Sequence, residues 1–550
     1  MAREGSKAVD SDRELERGSP ESVPEPEWLR SLAPDRRSPL SLGRQLYLAL
    51  YEAIVRGELP RGAALPPSRA LATRLGLARN TVVAAYAQLG DEGLVRGGGR
   101  RGTMVTHSAV VSDRAPGGAA ADGAGTVVGV RSEATVEDAV GAIGSLGAEL
   151  PPAASRSSRA LSSRALGFAA FSERHRAFAP GEPDPSLFPA RHWQRAMARV
   201  ARLPADELGY RDRASRRLRE AIARYLAVYR SVVVDPARIV VTSGTRQSLL
   251  LAAALFADPD DVAWVETPGY RGAIDAFRAQ GLRLHACAVD VDGAVPPDAP
   301  PPRLAYLTPC YQYPLGMPLS AERREAFLAL SARHGTVLFE DDYDSEFRDD
   351  AQPRPALAAS AAARGACVLH AGTFSKLIFP AARVAWLVVP DGLSERAGHA
   401  LRALGGGHGT LAQGVVAELL DTGVLSRHLQ RARQVYARRR RVLLGCVARS
   451  GRWRLVGGGA LSAVISLDQE PPLAALEAAL ADERLGAVPL ERFVTPDRVA
   501  TERNASAPTT AEPTRSSRLV LGLGNVDSLA LPGMFERLER AVQRAARHDP

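Results

Sequence analysis

Lys376 is one of only two lysines in a chain of 550 residues that holds 70 Lys and Arg residues in total. The other, Lys7, lies in a polar N-terminal stretch. Arginine stays protonated, whereas a desolvated lysine can lose its proton, act as a nucleophile and form a Schiff base. Lys376 is therefore a candidate for amine chemistry. Scarcity alone leaves a leftover surface lysine equally open, so the neighbouring residues must decide.

Groups that suit a phosphate ester occur near Lys376 in the sequence. The segment CVLHAGTFSK predicts a strand that leads into a loop, where Thr373 and Ser375 offer hydroxyls, and Arg383 follows. Upstream, RIVVTSGTRQSL predicts a strand, a Ser-Gly-Thr turn and then a helix. The N–H groups at a helix N-terminus bind phosphate well. Most such turns bind nothing, so this signal is weak by itself.

A carboxylate and an aromatic ring complete the set. Asp341 lies near the end of the segment TVLFEDD, and α/β proteins bind ligands at the carboxyl ends of their strands. A carboxylate there can pair with a protonated pyridine nitrogen and make the ring an electron sink. Tyr270 follows another apolar segment, VAWVETPG, and could stack on a ring. An amine, a phosphate cradle, a carboxylate and an aromatic face together indicate a pyridoxal phosphate site.

These groups need a sheet that brings distant segments to one edge. From about residue 175 onward, short apolar runs alternate with longer helical patterns, and RLAYLTP is a further run of this kind. This alternation predicts an α/β domain with a mostly parallel central sheet. We expect a loose tail over residues 1–38, a small domain over 39–106, a linker over 107–174 and this large domain over 175–548. Within the linker, the spacing of apolar residues predicts a short amphipathic helix.

The small domain has the pattern of a winged helix-turn-helix. Three helical segments are predicted, the first over residues 42–57, the second capped by Ser68 and the third starting near Arg79. Two short strands with a basic glycine turn, LVRGGGRRGTMV, follow as a wing. The second helix of such a motif can enter the major groove of DNA. The apolar positions expected in the core are Leu46, Leu50, Ile54, Val82, Tyr86 and Leu89.

Charge supports a DNA partner for the small domain. Residues 35–105 contain eleven Arg and five Asp or Glu, so 11 − 5 = +6 of the formal net charge of +9 lies there. Neutralisation of phosphates is a main contribution to DNA affinity. The alternative is an arginine-rich helical domain that binds protein.

Composition argues against several other classes. The four cysteines are widely spaced and form no C-x-x-C pair, which fits a reducing compartment and argues against a zinc site or a disulfide framework. The charged N-terminus lacks the apolar core of a signal peptide, and no apolar stretch reaches membrane-spanning length. A cytoplasmic location is the expectation.

The small domain resembles the GntR-type winged helix-turn-helix through LPPSRALATRLGLARNTVVAAYAQLGDEGLV and the later GRRGTMV. One departure is Ala78, where the family usually has a serine that can cap the third helix; its loss should cost about 1 kcal/mol. The resemblance implies that double-stranded DNA is contacted by Ser68, Arg69, Arg79, Asn80, Thr81, Arg101 and Gly102.

The large domain resembles the fold type I aminotransferases through FEDDYDSEFR and AGTFSKLIFPAAR, and it is similar to the aminotransferase-like domain of the MocR regulators. In that family a GntR-type domain is joined to this module by a long linker, the order found here. The resemblance implies that Lys376 forms a Schiff base with pyridoxal 5'-phosphate. Asp341 would pair with the pyridine nitrogen, Tyr343 would lie near the phenolic oxygen, and Tyr270 would stack on the ring. The implied phosphate ligands are Gly244, Thr245, Arg246, Thr373, Ser375 and Arg383, with Tyr210 reaching across from a second subunit.

The resemblance also implies an effector site and has departures. Arg518 matches the C-terminal arginine that grips an amino-acid carboxylate in this fold. The positions that differ from the family pattern are Ser215, Cys310, Tyr311 and Leu315. We expect altered effector specificity or ring hydrogen bonding from the last three, since they border the cofactor, and no loss of the cofactor.

Two functions remain open from the sequence. The first is a DNA-binding transcription regulator that senses pyridoxal phosphate or an amino compound at Lys376, working as a head-to-tail homodimer. The alternative is a pyridoxal-phosphate-dependent aminotransferase with an accessory DNA-binding domain. Residual transamination beside regulation is also compatible with the residues present.

Overall fold

The computed structural model of the chain describes residues 35, 41–97, 102–106, 176–204, 214–347, 354–406, 409–468, 471–495 and 517–547. It divides into two compact units, Met1–Asp113 and Arg114–Pro550. The predictions for Arg101, Tyr210, most of the N-terminal tail and the linker with its helix lie outside the described residues. Within the described part, no helix combines the length and apolar character needed to cross a membrane.

The described part of the first unit contains three helices and a small sheet, as its sequence pattern predicts. Its elements are α1 (Leu42–Val55), β1 (Ala64–Leu65), α2 (Ser68–Leu75), α3 (Arg79–Asp91), β2 (Val95–Gly97) and β3 (Thr103–Val105). Strand β3 lies between β1 and β2 and is antiparallel to both, which forms the predicted wing. The predicted core positions are confirmed as buried: Leu46, Leu50, Ile54, Val82, Tyr86 and Leu89.

The predicted cap of α2 is wrong. Ser68 is the first residue of the helix, and the N-cap position falls on Pro67, which makes no side-chain cap hydrogen bond. Proline has no side-chain acceptor, so the backbone N–H groups of this turn receive nothing from their cap. Ala78, by contrast, occupies the N-cap position of α3 as expected, and it too leaves the helix without a side-chain cap.

The second unit is built on a sheet in which eight strands are described, in the order β4-β11-β10-β9-β8-β5-β6-β7. All neighbouring strands are parallel except β11, which runs antiparallel to β4 and β10, and β7, which runs antiparallel to β6. The predicted strands and the mostly parallel sheet are confirmed. The bounds are β4 (Ile239–Thr242), β5 (Val262–Thr267), β6 (Arg283–Asp290), β7 (Gly293–Ala294), β8 (Leu304–Leu307), β9 (Val337–Asp342), β10 (Cys367–Thr373) and β11 (Ala385–Val388).

A second sheet, here called the small sheet, has the antiparallel order β12-β13-β15-β14. Its strands are β12 (Trp453–Gly457), β13 (Ser462–Leu467), β14 (Val488–Pro489) and β15 (Ser517–Gly522). The helices of the second unit are α4 (Ala190–Val200), α5 (Arg216–Arg230), α6 (Thr245–Phe256), α7 (Arg271–Ala279), α8 (Ala321–His334), α9 (Ala358–Ala361), α10 (Phe374–Leu377), α11 (Ser394–Ala403), α12 (Thr410–Asp421), α13 (Val424–Ser450), α14 (Leu473–Asp482) and α15 (Leu531–Arg547). Short 3-10 helices span Pro185–Leu187, Pro236–Arg238, Ser345–Phe347, Ala362–Arg364, Pro380–Ala382 and Leu490–Phe493.

Helices cover both faces of the large sheet. Apolar residues of α6, α7 and α11 form a core on one face. Residues of α4, α5, α12 and α13 form a core on the other, where α8 also packs against the sheet. The small sheet packs on α14, α15 and the last turns of α13. Because both faces of the large sheet are buried, its ligands must approach from the edge where the parallel strands end.

Candidate cofactor site

Three segments that carry predicted site residues leave the large sheet at the same edge. Thr242 at the end of β4 and Thr373 at the end of β10 both pair with Ala385 on β11 between them. Ala371 on β10 pairs with Asp341 on β9. The structure therefore brings the Ser-Gly-Thr turn, the lysine loop and the acidic strand end to one place.

Lys376 lies on the short helix α10, whose cap is the Thr373 hydroxyl, an acceptor for the Ser375 N–H at 3.1 Å. Its side chain is half-buried, and Nζ donates a hydrogen bond to the Gly181 carbonyl. Burial lowers the pKa of Lys376, while the carboxylates of Glu182 and Asp341 oppose that shift. The neutral amine, which is the nucleophilic form, is thus reached at lower pH than in an exposed lysine.

Asp341 offers a buried oxygen without a partner. Its Oδ2 accepts a hydrogen bond from Tyr306 Oη at 2.8 Å, and its Oδ1 has no partner among the residues that the structure describes. Burial raises the pKa of Asp341 to about 7. A buried carboxylate oxygen that lacks a donor costs free energy unless a donor arrives. A protonated pyridine nitrogen would supply that donor, so the site fits the predicted cofactor.

Three tyrosine rings meet beside Asp341. The Tyr313 ring meets the Tyr343 ring edge-on, with ring centroids 5.6 Å apart. It also meets the Tyr270 ring edge-on, with ring centroids 6.2 Å apart. The Tyr343 Oη atom is buried and has no hydrogen-bond partner in the described part of the chain. Burial raises the pKa of Tyr270, and its hydroxyl also hydrogen-bonds Arg246. A flat ring with a phenolic oxygen would meet both an aromatic wall and an unused hydroxyl.

Donors for a phosphate gather at the start of α6. Thr245 and Arg246 are its first residues, and the first N–H groups of a helix have no intrahelical acceptor. Arg383 Nη2 donates to Ser243 Oγ at 3.3 Å, and a Cβ placed on Gly244 would lie 3.7 Å from Arg383 Nη1. A cation, hydroxyls and free N–H groups together suit a phosphate monoester.

Arg518 is the one described ligand-site candidate on the small sheet. It is exposed on β15, opposite Ser466 on β13. Because strand residues two apart share a face, Arg518 points to the side of Val520, which packs with Leu315. Its role in holding an effector carboxylate stays a prediction.

The departures from the family pattern have individual outcomes. Ser215 caps α5 by accepting the Leu218 N–H at 3.2 Å, a bond that glycine could not make. Burial raises the pKa of the Cys310 thiol to about 12, so this thiol is unreactive at neutral pH. Leu315 is buried in the small apolar cluster beside β14 and β15. Tyr311 is half-buried.

Three other acids of the EDDYDSEF segment have structural contacts. Glu340 accepts from the Leu357 N–H at 2.7 Å and lies 3.1 Å from His370 Nδ1. Asp342 and Glu346 both form ion pairs with the buried guanidinium of Arg230. These acids brace the strand end that presents Asp341.

Sequence reasoning missed Tyr306, Tyr313, Ser243 and Gly181. A tyrosine inside the apolar run RLAYLTP was the available signal for Tyr306, since a buried hydroxyl needs a partner. Gly181 carried no such signal because its contact with Lys376 joins segments far apart in the chain.

The predicted DNA contacts lie mostly on the surface of the first unit. Arg69 follows the first residue of α2, and Arg79 and Asn80 open α3; all three side chains are exposed, as is Gly102 beside β3. Ser68 and Thr81 are half-buried, and the Thr81 methyl group faces Gly43 on α1. The exposed arginines at two helix starts form a surface that could bind phosphates.

Comparison with known proteins identifies both units. The family of aminotransferase class I and II matches residues 180–500, and the family of bacterial regulatory proteins of gntR type matches residues 42–105. The probable rhizopine catabolism regulatory protein MocR of Rhizobium meliloti is 33% identical over 76% of this chain and 79% of its own. The pyridoxine biosynthesis transcriptional regulator PdxR of Corynebacterium glutamicum is 29% identical over 80% of this chain and 87% of its own.

A solved structure extends the likeness to the fold. LysN, an α-aminoadipate aminotransferase from Thermus thermophilus, is 26% identical with a TM-score of 0.57, over 71% of this chain and 95% of that chain. That protein was complexed with N-(5'-phosphopyridoxyl)-L-leucine. The chain therefore belongs to the class I and II aminotransferase family and, with its gntR-type domain, is a MocR-type DNA-binding transcription regulator that depends on pyridoxal phosphate.

Proposed function

We propose that this regulator senses pyridoxal phosphate, or an amino compound bound through it, by a Schiff base at Lys376. The observation that carries the proposal is the buried Asp341 Oδ1, without a partner in the described residues, at the same sheet edge as a lysine whose pKa burial lowers. A ligand can shift a conformational equilibrium only through different affinities for the two states. Covalent bonding of the ligand to Lys376 supplies such a difference in affinity if the bond forms more readily in one of the two conformational states.

Each predicted residue has a role in this proposal. Lys376 attacks as the neutral amine, Asp341 holds the pyridine nitrogen protonated, Tyr343 donates to the phenolic oxygen, and Tyr270 covers the ring. The cofactor, when bound, supplies an aldehyde and an electron-withdrawing ring. The phosphate is held by Gly244, Thr245, Arg246, Thr373, Ser375 and Arg383, with Tyr210 of a second copy. Arg518 binds the carboxylate of an amino effector.

The working unit in this proposal is a head-to-tail homodimer in the cytoplasm, the compartment that holds the DNA. Two gntR-type domains would then meet two half-sites, in direct or inverted repeat. In this proposal the DNA is faced by Ser68, Arg69, Arg79, Asn80 and Thr81, and it is reached from the wing by Arg101 and Gly102.

Selection from random DNA duplexes with the full chain tests the regulator. We expect a repeated sequence to be enriched and its affinity to change when pyridoxal phosphate is added. Arg79→Ala should weaken binding by at least about tenfold and reduce the salt dependence by about one phosphate contact. Arg191→Ala, at an exposed arginine of α4, is the matched control and should bind like the wild type. Recovery of no repeated sequence at low salt would overturn the proposal.

A second candidate function, aminotransferase turnover, is favoured by the intact lysine and aspartate. A panel of amines, added to the full chain with pyridoxal phosphate, separates the two. A visible band that shifts and then holds indicates a sensor. A band that bleaches and returns on addition of a keto acid indicates turnover, and Lys376→Ala should abolish it.

A further inference from the structure

Residues 177–184, here called the strap, run along the small sheet although they precede it by far in the chain. The Gly486 N–H donates to the Ala177 carbonyl and the Gly522 N–H donates to the Phe178 carbonyl, both at 2.7 Å. The Phe178 side chain is fully buried in the core of the small sheet. The start of the strap is thus fixed to β15 and to the segment before β14.

The end of the strap is clamped to α13. The Asp184 N–H donates to Tyr436 Oη at 3.0 Å, and the Asp184 carboxylate forms a buried ion pair with Arg439. Arg439 also donates to the carbonyls of Leu523 at 3.0 Å and Gly524 at 2.7 Å. One guanidinium therefore ties the strap to the turn that follows β15.

The middle of the strap fits against glycines that leave no room for a side chain. A Cβ on Gly522 would lie 1.8 Å from the Ala179 carbonyl oxygen, and one on Gly524 would lie 1.6 Å from that of Glu182. Both distances are far inside van der Waals contact. The strap and the small sheet consequently form one body.

At one point this body touches the lysine. The Gly181 carbonyl accepts the hydrogen bond from Lys376 Nζ, and a Cβ on Gly181 would lie 2.9 Å from that nitrogen. Gly181 has φ 75°, a conformation that L side chains rarely adopt. Burial lowers the pKa of Lys376, and of the carboxylates that oppose this shift Glu182 acts most strongly. The contact of the strap with Lys376 is therefore the Gly181 carbonyl, and the carboxylate of the next residue, Glu182, attracts the ammonium form of the lysine.

We propose that the strap transmits the chemical state of Lys376 to the DNA-binding domain, an inference that rests on the proposed function. When the ammonium form of Lys376 reacts with an aldehyde, it first releases one proton to solvent. The neutral amine then forms one C=N bond, and one water leaves with the carbonyl oxygen and both remaining amine hydrogens. The Gly181 carbonyl loses its donor, and the positive charge that attracts the Glu182 carboxylate disappears. The strap and the small sheet then shift together. The strap is the first described segment after residues 107–174, so in sequence it is the described part of the second unit nearest to residues 39–106.

The Glu182→Gln variant tests this inference, because it removes the charge that senses Lys376 and leaves the strap's anchors in place. The probe is the DNA sequence selected by the wild-type full chain. DNA affinity is measured with and without pyridoxal phosphate, at equal cofactor occupancy judged by the visible absorbance of each variant. For the wild type we expect the DNA affinities with and without pyridoxal phosphate to differ at least about fivefold, which is the lower range of allosteric coupling. This factor is called the affinity ratio.

For Glu182→Gln we expect the ratio to fall toward one. The matched control is Glu322→Gln, at an exposed glutamate in the first turn of α8, which should keep the wild-type ratio. A wild-type ratio in Glu182→Gln would overturn the inference and leave the regulator intact. A ratio of one in the wild type itself would instead overturn the proposed function.

Hydrogen exchange gives a second readout that does not depend on DNA. The amides of Gly486 and Gly522 donate to the strap, so their protection should change when pyridoxal phosphate is added to the wild type. The change should be absent in Lys376→Ala and reduced in Glu182→Gln. Unchanged protection in the loaded wild type would contradict movement of the strap.

Discussion

The half-buried Lys376 is positioned by one hydrogen bond, which its reactive atom Nζ donates to the Gly181 carbonyl. Because burial lowers the pKa of Lys376, its ammonium form loses a proton at lower pH than an exposed lysine. We predict that the rate at which the protein turns yellow with pyridoxal phosphate rises with pH and levels off below about pH 10.4, the ordinary lysine pKa. Stopped-flow absorbance across this range measures it. A rate that continues to rise up to that pH would refute the prediction, and Lys376→Ala should give no band.

Asp341 makes the protein without cofactor less stable as pH rises. Its pKa is about 7 in the folded chain and about 3.9 when unfolded, so the folded state keeps a proton that the unfolded state releases between these values. Stability is therefore lost from about pH 4 to about pH 7, by up to about 4 kcal/mol.

Asp341→Asn removes this titration. Without cofactor, the variant should be more stable than the wild type at about pH 8 and similar at about pH 4, and it should bind pyridoxal phosphate more weakly. Urea unfolding at both pH values and an absorbance titration measure the two effects. Equal stabilities of the variant and the wild type at about pH 8 would show that ionisation of Asp341 does not cause the loss of stability.

At the scale of single elements, α3 has an uncapped start that can be repaired. Ala78 has the extended backbone of an N-cap, with φ −64° and ψ 137°, and no side-chain oxygen. We predict that Ala78→Ser stabilises α3 by about 1 kcal/mol, since serine can accept an N–H of the first turn. Hydrogen exchange of the α3 amides in the full chain measures this. Ala70→Ser, inside α2, is the control and should give no gain.

Elements were easier to predict from the sequence than the contacts between them. Apolar runs such as VAWVETPG and TVLFEDD indicated the strands because a sheet covered on both faces needs continuous apolar residues. The same apolar segments also predicted where the acidic strand end and the lysine loop lie. The α2 cap was wrong by one residue because Pro67, with φ −54° and ψ 136°, occupies the N-cap position and Ser68 is already helical.

The missed site residues share a physical reason. Tyr313 and Gly181 act through neighbours that only the folded chain supplies, Tyr343 for the first and Lys376 for the second. A glycine carbonyl carries no side-chain chemistry that a sequence pattern could reveal. The phosphate donors of α6 were accessible to prediction because strand, turn and helix start are consecutive in the chain.

At the scale of the whole molecule, the proposed dimer has a direct test. The chain mass is 58.5 kDa, so a homodimer sediments as twice that mass. We predict this value without DNA in analytical ultracentrifugation, and this value plus the mass of one duplex when DNA is bound, since the proposed phosphate site takes Tyr210 from the second copy. Mixing Lys376→Ala with Tyr210→Ala chains should restore about one cofactor site per mixed dimer. A monomer that binds pyridoxal phosphate fully would contradict the shared site.

The close fit of the strap against Gly522 and Gly524 has a genetic consequence. Any mutation that adds a side chain at either glycine displaces a carbonyl of the strap, whether or not Lys376 is occupied. In the proposed scheme such an allele encodes a regulator whose DNA affinity no longer changes with pyridoxal phosphate. A screen for strains whose target gene ignores vitamin B6 supply should therefore recover changes at these two codons, far from the lysine codon itself.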